Sequence, residues 1–124
     1  MELTISGAVY PFSFNIGFLR DINKTVVVKD IEGVKGFNKN IGLRAAIMGL
    51  LDGDLEALVD ILNFANKGCN PRLTQQAIEA FLEDETTDID AVFSDVLEGL
   101  KQANATKKAT LAVVAAVENN QAKQ

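Results

Sequence analysis

The 124-residue sequence contains no histidine and one cysteine. Without histidine there is no imidazole base working near neutral pH, no histidine-based triad and no histidine-containing zinc site. A lone thiol, Cys69, can form neither a thiolate metal cluster nor an internal disulfide, and fits a reducing compartment. Ser94 has no base in view that would activate it. Together these gaps argue against an enzyme and against any bound metal or cofactor. Positive charge is also short: 12 Lys and Arg against 17 Asp and Glu leave a net charge of −5, the wrong sign for gripping nucleic acid. No apolar run is long enough to span a bilayer, so no membrane partner is expected. The opening "MELTISGAVY" carries an acid at its second position and alternates in polarity. It therefore does not read as a signal peptide, and the chain is expected in the cytoplasm. The N-x-T triplets at Asn23 and Asn104 are then chance matches to a glycosylation pattern.

What remains is an apolar, well-patterned chain. Hydrophobic residues make up 48%, too many for a disordered segment, and the length suits one ordinary domain that needs no disulfide or metal to fold. Leu3 and Ile5 alternate with polar neighbours up to Ser6-Gly7. Tyr10, Phe12 and Phe14 alternate beyond it, which predicts a hairpin with Pro11 at a free edge. A hairpin alone is barely stable in water, so its apolar face should lie on helices. Asn15 can cap a helix with Phe18, Leu19 and Ile22 inward. Val26–Val28 fits either a short strand or a frayed helix end, and Gly33 and Gly36 mark a loop.

The most organised stretch is "GLRAAIMGLLDGDLEALVDILNFA", residues 42–65. Leu43, Ile47, Leu50 and Leu51 form one helical face from near Ile41, Asp52-Gly53 stops it, and Asp54 caps a second helix striped by Leu55, Leu58, Val59 and Leu62. Gly49-x-x-x-Gly53 signals at most close helix packing in such a segment. Thr74 can cap a short helix carrying Ile78, Phe81 and Leu82, and Asp88 a longer one running from Ile89 to Leu100. "DETTDIDAVFSD" resembles a calcium loop in its acids. It fails at two required positions, where Ile89 replaces glycine and Asp95 replaces glutamate, so its acids read as helix-start residues.

The spacing thus predicts a mainly α fold: an N-terminal β-hairpin packed on a small bundle of about five or six helices. Residues 1–105 form the hairpin-plus-helix domain, and 106–124 a C-terminal helix and polar tail that can dock on it. Two features point to partners. From Glu79 to Glu98 there are eight acids and no Lys or Arg, whereas Arg20 to Arg44 has six basic residues against three acids. Such segregation is either plain solvated surface or a head-to-tail contact, with Arg20, Lys24, Lys35 and Lys39 of one copy facing Glu83, Asp84 and Glu85 of the next. "LAVVAAV", residues 111–117, is apolar on every side. It is either a core helix or, through Leu111, Val114 and Val117, a surface for a partner, and core is favoured because small domains rarely leave such patches bare.

Three segments carry a family resemblance: "FSFNIGFLRDIN" after the hairpin, the central pair at 42–65, and "TTDIDAVFSDVLEGLKQA". In this order they resemble the tail assembly chaperones of long-tailed bacteriophages, of the kind found in phages of Gram-positive hosts. The resemblance implies a non-enzymatic protein of the host cytoplasm that binds the long, mostly helical tape measure protein. It implies further that the chaperone keeps this client soluble, helps recruit major tail tube subunits around it, and is absent from the mature virion. In such proteins a longer, frameshifted version is often made from the same gene. The competing reading from composition is a small acidic regulator of another protein, or a nucleic-acid mimic.

Overall fold

The computed structural model describes residues 1–26 and 40–122. Two strands, β1 (Glu2–Ile5) and β2 (Ala8–Pro11), precede six helices: α1 (Ile16–Asn23), α2 (Ile41–Leu51), α3 (Leu55–Asn66), α4 (Gln75–Glu83), α5 (Ile89–Gln102) and α6 (Lys107–Ala122). The predicted class, a hairpin packed against a mainly helical body, is what the chain adopts. Val27, Val28 and the loop around Gly33 and Gly36 lie outside the described residues.

Ser6 and Gly7 both have positive φ, 52° and 81°, which matches the right-handed twist of the two strands they join. Leu3 pairs with Tyr10 and Ile5 with Ala8, and Met1 exchanges main-chain bonds with Phe12 at 2.8 and 3.3 Å. In this alternation Pro11, opposite Glu2, falls at a position whose N–H would point away from β1, so the proline forfeits no ladder bond. The second strand is shorter than its aromatic alternation suggests. After the Met1–Phe12 pair the chain leaves the ladder, and Ser13 N–H donates instead to the Ala65 carbonyl of α3 at 2.8 Å. Phe12 and Phe14 are therefore core residues of the strand-to-helix connection. Phe14 packs edge-on against Phe18 with centroids 5.2 Å apart, and an added Cβ on Gly99 of α5 would lie 2.5 Å from its ring.

The helix starts follow the sequence reading. Asn15, Asp54, Thr74 and Asp88 each accept a backbone N–H of the following first turn, at 2.9 to 3.1 Å. The exception is α2, whose N-terminal residue Asn40 sits at φ 62° and makes no cap of its own. Its cap comes from α1: Asn23 Oδ1 accepts from Leu43 N–H at 2.9 Å, and Asn23 Nδ2 donates to Asn40 Oδ1 at 3.1 Å. The two helices approach closely there, since a Cβ on Gly42 would fall 2.3 Å from the Ile22 carbonyl oxygen. Gly49 plays the same part against Ala57 of α3, and Gly53, at φ 75°, turns the chain. The glycine pair is thus a packing and turn device.

Helix α2 is the hub, packed against α1, α3, α5 and α6, and α3 in turn contacts α1 and α4. Helix α3 buries Leu58, Ile61, Leu62, Ala65 and Asn66, one stripe at i, i+3, i+4, i+7 and i+8 that takes in Ile61, Ala65 and Asn66 beside the predicted leucines. Leu55 does not join it and is 44% exposed. Helical side chains lean toward the N-terminus, so a first-turn residue covers the preceding turn instead of the core. The last helix runs on to Ala122, through the polar residues that the sequence reads as a tail.

Candidate functional site

The described residues offer clefts and an exposed apolar face, and among them no group of three or more Cys, Asp or Glu is placed to hold a metal ion. Helix α6 is the first candidate. It docks on α2 and α5 by a face made of Thr106, Thr110, Val113 and Val117. The two threonines are fully buried yet satisfied: Thr106 Oγ1 donates to the Leu100 carbonyl at 2.7 Å, and Thr110 Oγ1 to the Thr106 carbonyl at 2.8 Å. The opposite face carries exposed apolar residues between the charges of Lys108 and Glu118. Leu111 is 51% exposed, and Ala112, Ala115 and Ala116 are exposed beside it. Between α2 and α6 runs a shallow trough of about 230 Å³, lined by Arg44, Met48, Ala112, Val113, Ala116 and Val117. Met48 is itself 41% exposed on its lip.

Of the three residues proposed from sequence as a partner surface, Leu111 is exposed, Val114 half-buried, and Val117 half-buried and packed on the core. They do not form one face. At 3.6 residues per turn, positions 111, 114 and 117 drift by about 60° per step, so Leu111 and Val117 stand about 120° apart. Neither "core helix" nor "sticky surface" describes the whole segment: one face is core and the other is surface. Sequence reasoning missed Met48, which the α2 stripe leaves on the outside. It also missed the threonine pair, whose only signal is their spacing of four, which lets one hydroxyl reach back to the other's carbonyl.

The charged residues proposed for self-association are also on the surface. Arg20 and Lys24 are exposed on α1 and just after it, and Glu83, Asp84 and Glu85 are exposed at the end of α4. Lys35 and Lys39 lie outside the described residues. Among the described residues the one ion pair joins Lys67 to Asp21 at 3.4 Å, so Arg20 and the Glu83–Glu85 turn have no ion-pair partner among those residues. Asp84 receives hydrogen bonds from the Thr86 hydroxyl at 2.7 Å and the Thr86 N–H at 2.8 Å, and these hold its carboxyl below the ordinary range. With Asp88 capping α5 and Asp90 and Asp95 on that helix, the calcium-loop-like stretch is a helix start. On α3, Asp60 is exposed at its surface, yet partial desolvation and the neighbouring Glu56 and Asp54 push its carboxyl upward.

No helix of the described residues is long and apolar enough to cross a membrane. No match is found among curated proteins, nor among solved structures. A family model does match, described as "Phage tail assembly chaperone protein, TAC", over residues 2–113, from the start of β1 to the buried Val113 of α6. With nearly the whole packed body inside that match, the chain belongs to the phage tail assembly chaperone family.

Proposed function

We propose that the protein binds the tape measure protein of its phage, keeps it soluble and assists polymerisation of the tail tube around it. The role is non-catalytic, is carried out in the host cytoplasm, and ends before the virion is complete. The observation that carries this reading is the outer face of α6 with the adjoining α2–α6 trough. Leu111 and Met48 stay exposed on helices whose inner faces are already satisfied. Exposed apolar area forgoes about 25 cal/mol per Å² of burial, and a helix presented this way suits an amphipathic client helix laid alongside it. Arg44 at the trough lip adds a charge that would orient a client helix bearing acids.

Co-expression with the tape measure protein tests the reading. The double variant Leu111→Asp, Met48→Asp changes exposed positions only, so it should fold and melt like the parent while rescue of the client drops. Val113→Asp is the contrasting change: it places a charge at a buried position and should lose stability itself. A double variant that folds normally and rescues the client fully overturns the assignment of this face.

The same reading includes head-to-tail association of the chaperone, with Arg20 and Lys24 of one copy against Glu83, Asp84 and Glu85 of the next. Its support is that these exposed groups are of opposite sign and lack ion-pair partners among the described residues.

A further inference from the structure

A second trough, sharing no residue with the first, lies between the hairpin and the α4–α5 turn and has a volume of about 850 Å³. Its floor is apolar, with buried Ile5, Leu73 and Val92 beneath and half-buried Tyr10 and Phe81 at the sides. Its helical walls are low where they face solvent, because Ala80 of α4 and Ala91 of α5 are exposed alanines. Three carboxylates, Asp84, Asp88 and Asp95, border it, and among the described residues no lysine or arginine lines it.

Each feature restricts what could fill the trough. An apolar floor calls for apolar side chains. Small residues on two helical walls let a third helix approach to the usual interaxial distance of about 8–10 Å. A rim of one sign without counter-charges favours cations and repels acids, within the Debye length of about 8 Å at physiological salt. Asp88 and Asp84 are fixed in place by their bonds to Ala91 N–H and to Thr86, so the rim is preorganised. We infer that this trough is a docking site for a helix of a partner protein that carries an apolar stripe flanked by lysine or arginine. The first trough, with Arg44 at its lip, has the opposite charge preference, so the two would engage different helices.

Two synthetic amphipathic helical peptides provide the probe, with the same apolar stripe and either lysine or glutamate at the flanks, titrated into the full isotope-labelled chain. The lysine peptide should bind, with amide shifts centred on Ala80, Ala91 and Asp95, and should weaken by about tenfold as ionic strength rises. The glutamate peptide should leave those signals in place. Asp95→Lys, at an exposed mid-helix position with no capping role, should weaken binding by about tenfold or more, as expected for reversing a rim charge. Ala91→Arg should block the trough sterically, and both variants should keep the parent's circular dichroism. Equal binding of the two peptides, shifts that map to α2 and α6, or unchanged binding by both variants would overturn the inference. So would a trough already filled by a second copy, seen as a dimer that Asp95→Lys dissociates and that does not take up the peptide. Failure here leaves the client-rescue assay on the α2–α6 face untouched.

Discussion

Replacing Asn66 with alanine is expected to cost about 3 kcal/mol of stability, the largest effect we expect from removing a single polar side chain. Asn66 is fully buried at the end of α3 and uses its amide completely. Its Nδ2 donates to the Pro11 carbonyl at 3.0 Å and to the Pro71 carbonyl at 3.1 Å, while its Oδ1 accepts from Arg72 Nη1 at 2.9 Å and from Leu73 N–H. The side chain thereby ties the hairpin to the bundle and shapes the α3–α4 connection. Truncation strands three of the four partners, because Arg72 keeps its bonds to Asn63 and the Leu73 carbonyl. Pro71 is exposed, so its carbonyl can recover water; Pro11 is half-buried and Leu73 buried. Two poorly solvated groups at about 1–3 kcal/mol each give about 2–6 kcal/mol, and the figure of about 3 lies in the lower half because Pro11 is only half-buried.

Urea and thermal unfolding followed by circular dichroism measure this directly. For a domain of this size, about 3 kcal/mol corresponds to a fall in Tm of about 12 °C. Asn63→Ala is the control, since Asn63 is half-buried and its Oδ1 serves only Arg72; it should cost less than about 1 kcal/mol. Hydrogen exchange adds a local readout: in Asn66→Ala the Ser13 and Leu73 amides should lose protection before the amides of α5. A loss below about 1 kcal/mol, with hairpin protection unchanged, would refute the argument that this one amide joins sheet to bundle.

Two further predictions concern charge. Asp60 has its folded-state pKa raised by partial desolvation and by Glu56 and Asp54, so its favourable contribution is present below the ordinary value of 3.8 and lost as pH rises through the raised value. Asp60→Asn should therefore stabilise the protein at neutral pH, with the gain shrinking toward acid; a gain independent of pH would contradict the assignment. Head-to-tail association should weaken with salt and with Arg20→Glu plus Lys24→Glu, and recover when Glu83→Lys and Glu85→Lys are supplied on a mixed partner. Light scattering that shows a monomer at every concentration and salt would remove the idea.

Much of this fold is legible in the sequence because its punctuation is local. Asn15, Asp54, Thr74 and Asp88 cap the helices they precede, and Gly53 ends α2 where its freedom at positive φ is needed. What the sequence conceals is non-local. The cap of α2 lies on α1, in the Asn23 side chain, 20 residues before the amide it serves. Asn66 reads as an ordinary polar helix end, although its partners include Pro11, 55 residues away. Leu55 fits an apolar stripe by spacing but sits where the core has already ended. In each case the deciding partner is set by how the helices cross, which no window of consecutive residues contains.

The candidate surfaces were only half legible, for a related reason. Composition alone makes "LAVVAAV" apolar all round, and periodicity cannot orient a helix that has no polar face. The inner side is chosen by residues outside that run: Thr106 and Thr110 use their hydroxyls on main-chain carbonyls and so can be buried, which sends Val113 inward and Leu111 outward. A threonine that satisfies itself behaves in packing much like a valine. The same logic separates the two troughs. A Thr110→Val variant should keep α6 in register and preserve client rescue. Thr110→Lys would have to bring its charge out to solvent, rotating or detaching the helix, and would remove the Leu111 face together with the α2–α6 trough. If Thr110→Lys leaves both stability and client rescue unchanged, α6 does not position the client surface, and the exposed apolar residues elsewhere, Ile16 and Val9 first, take its place.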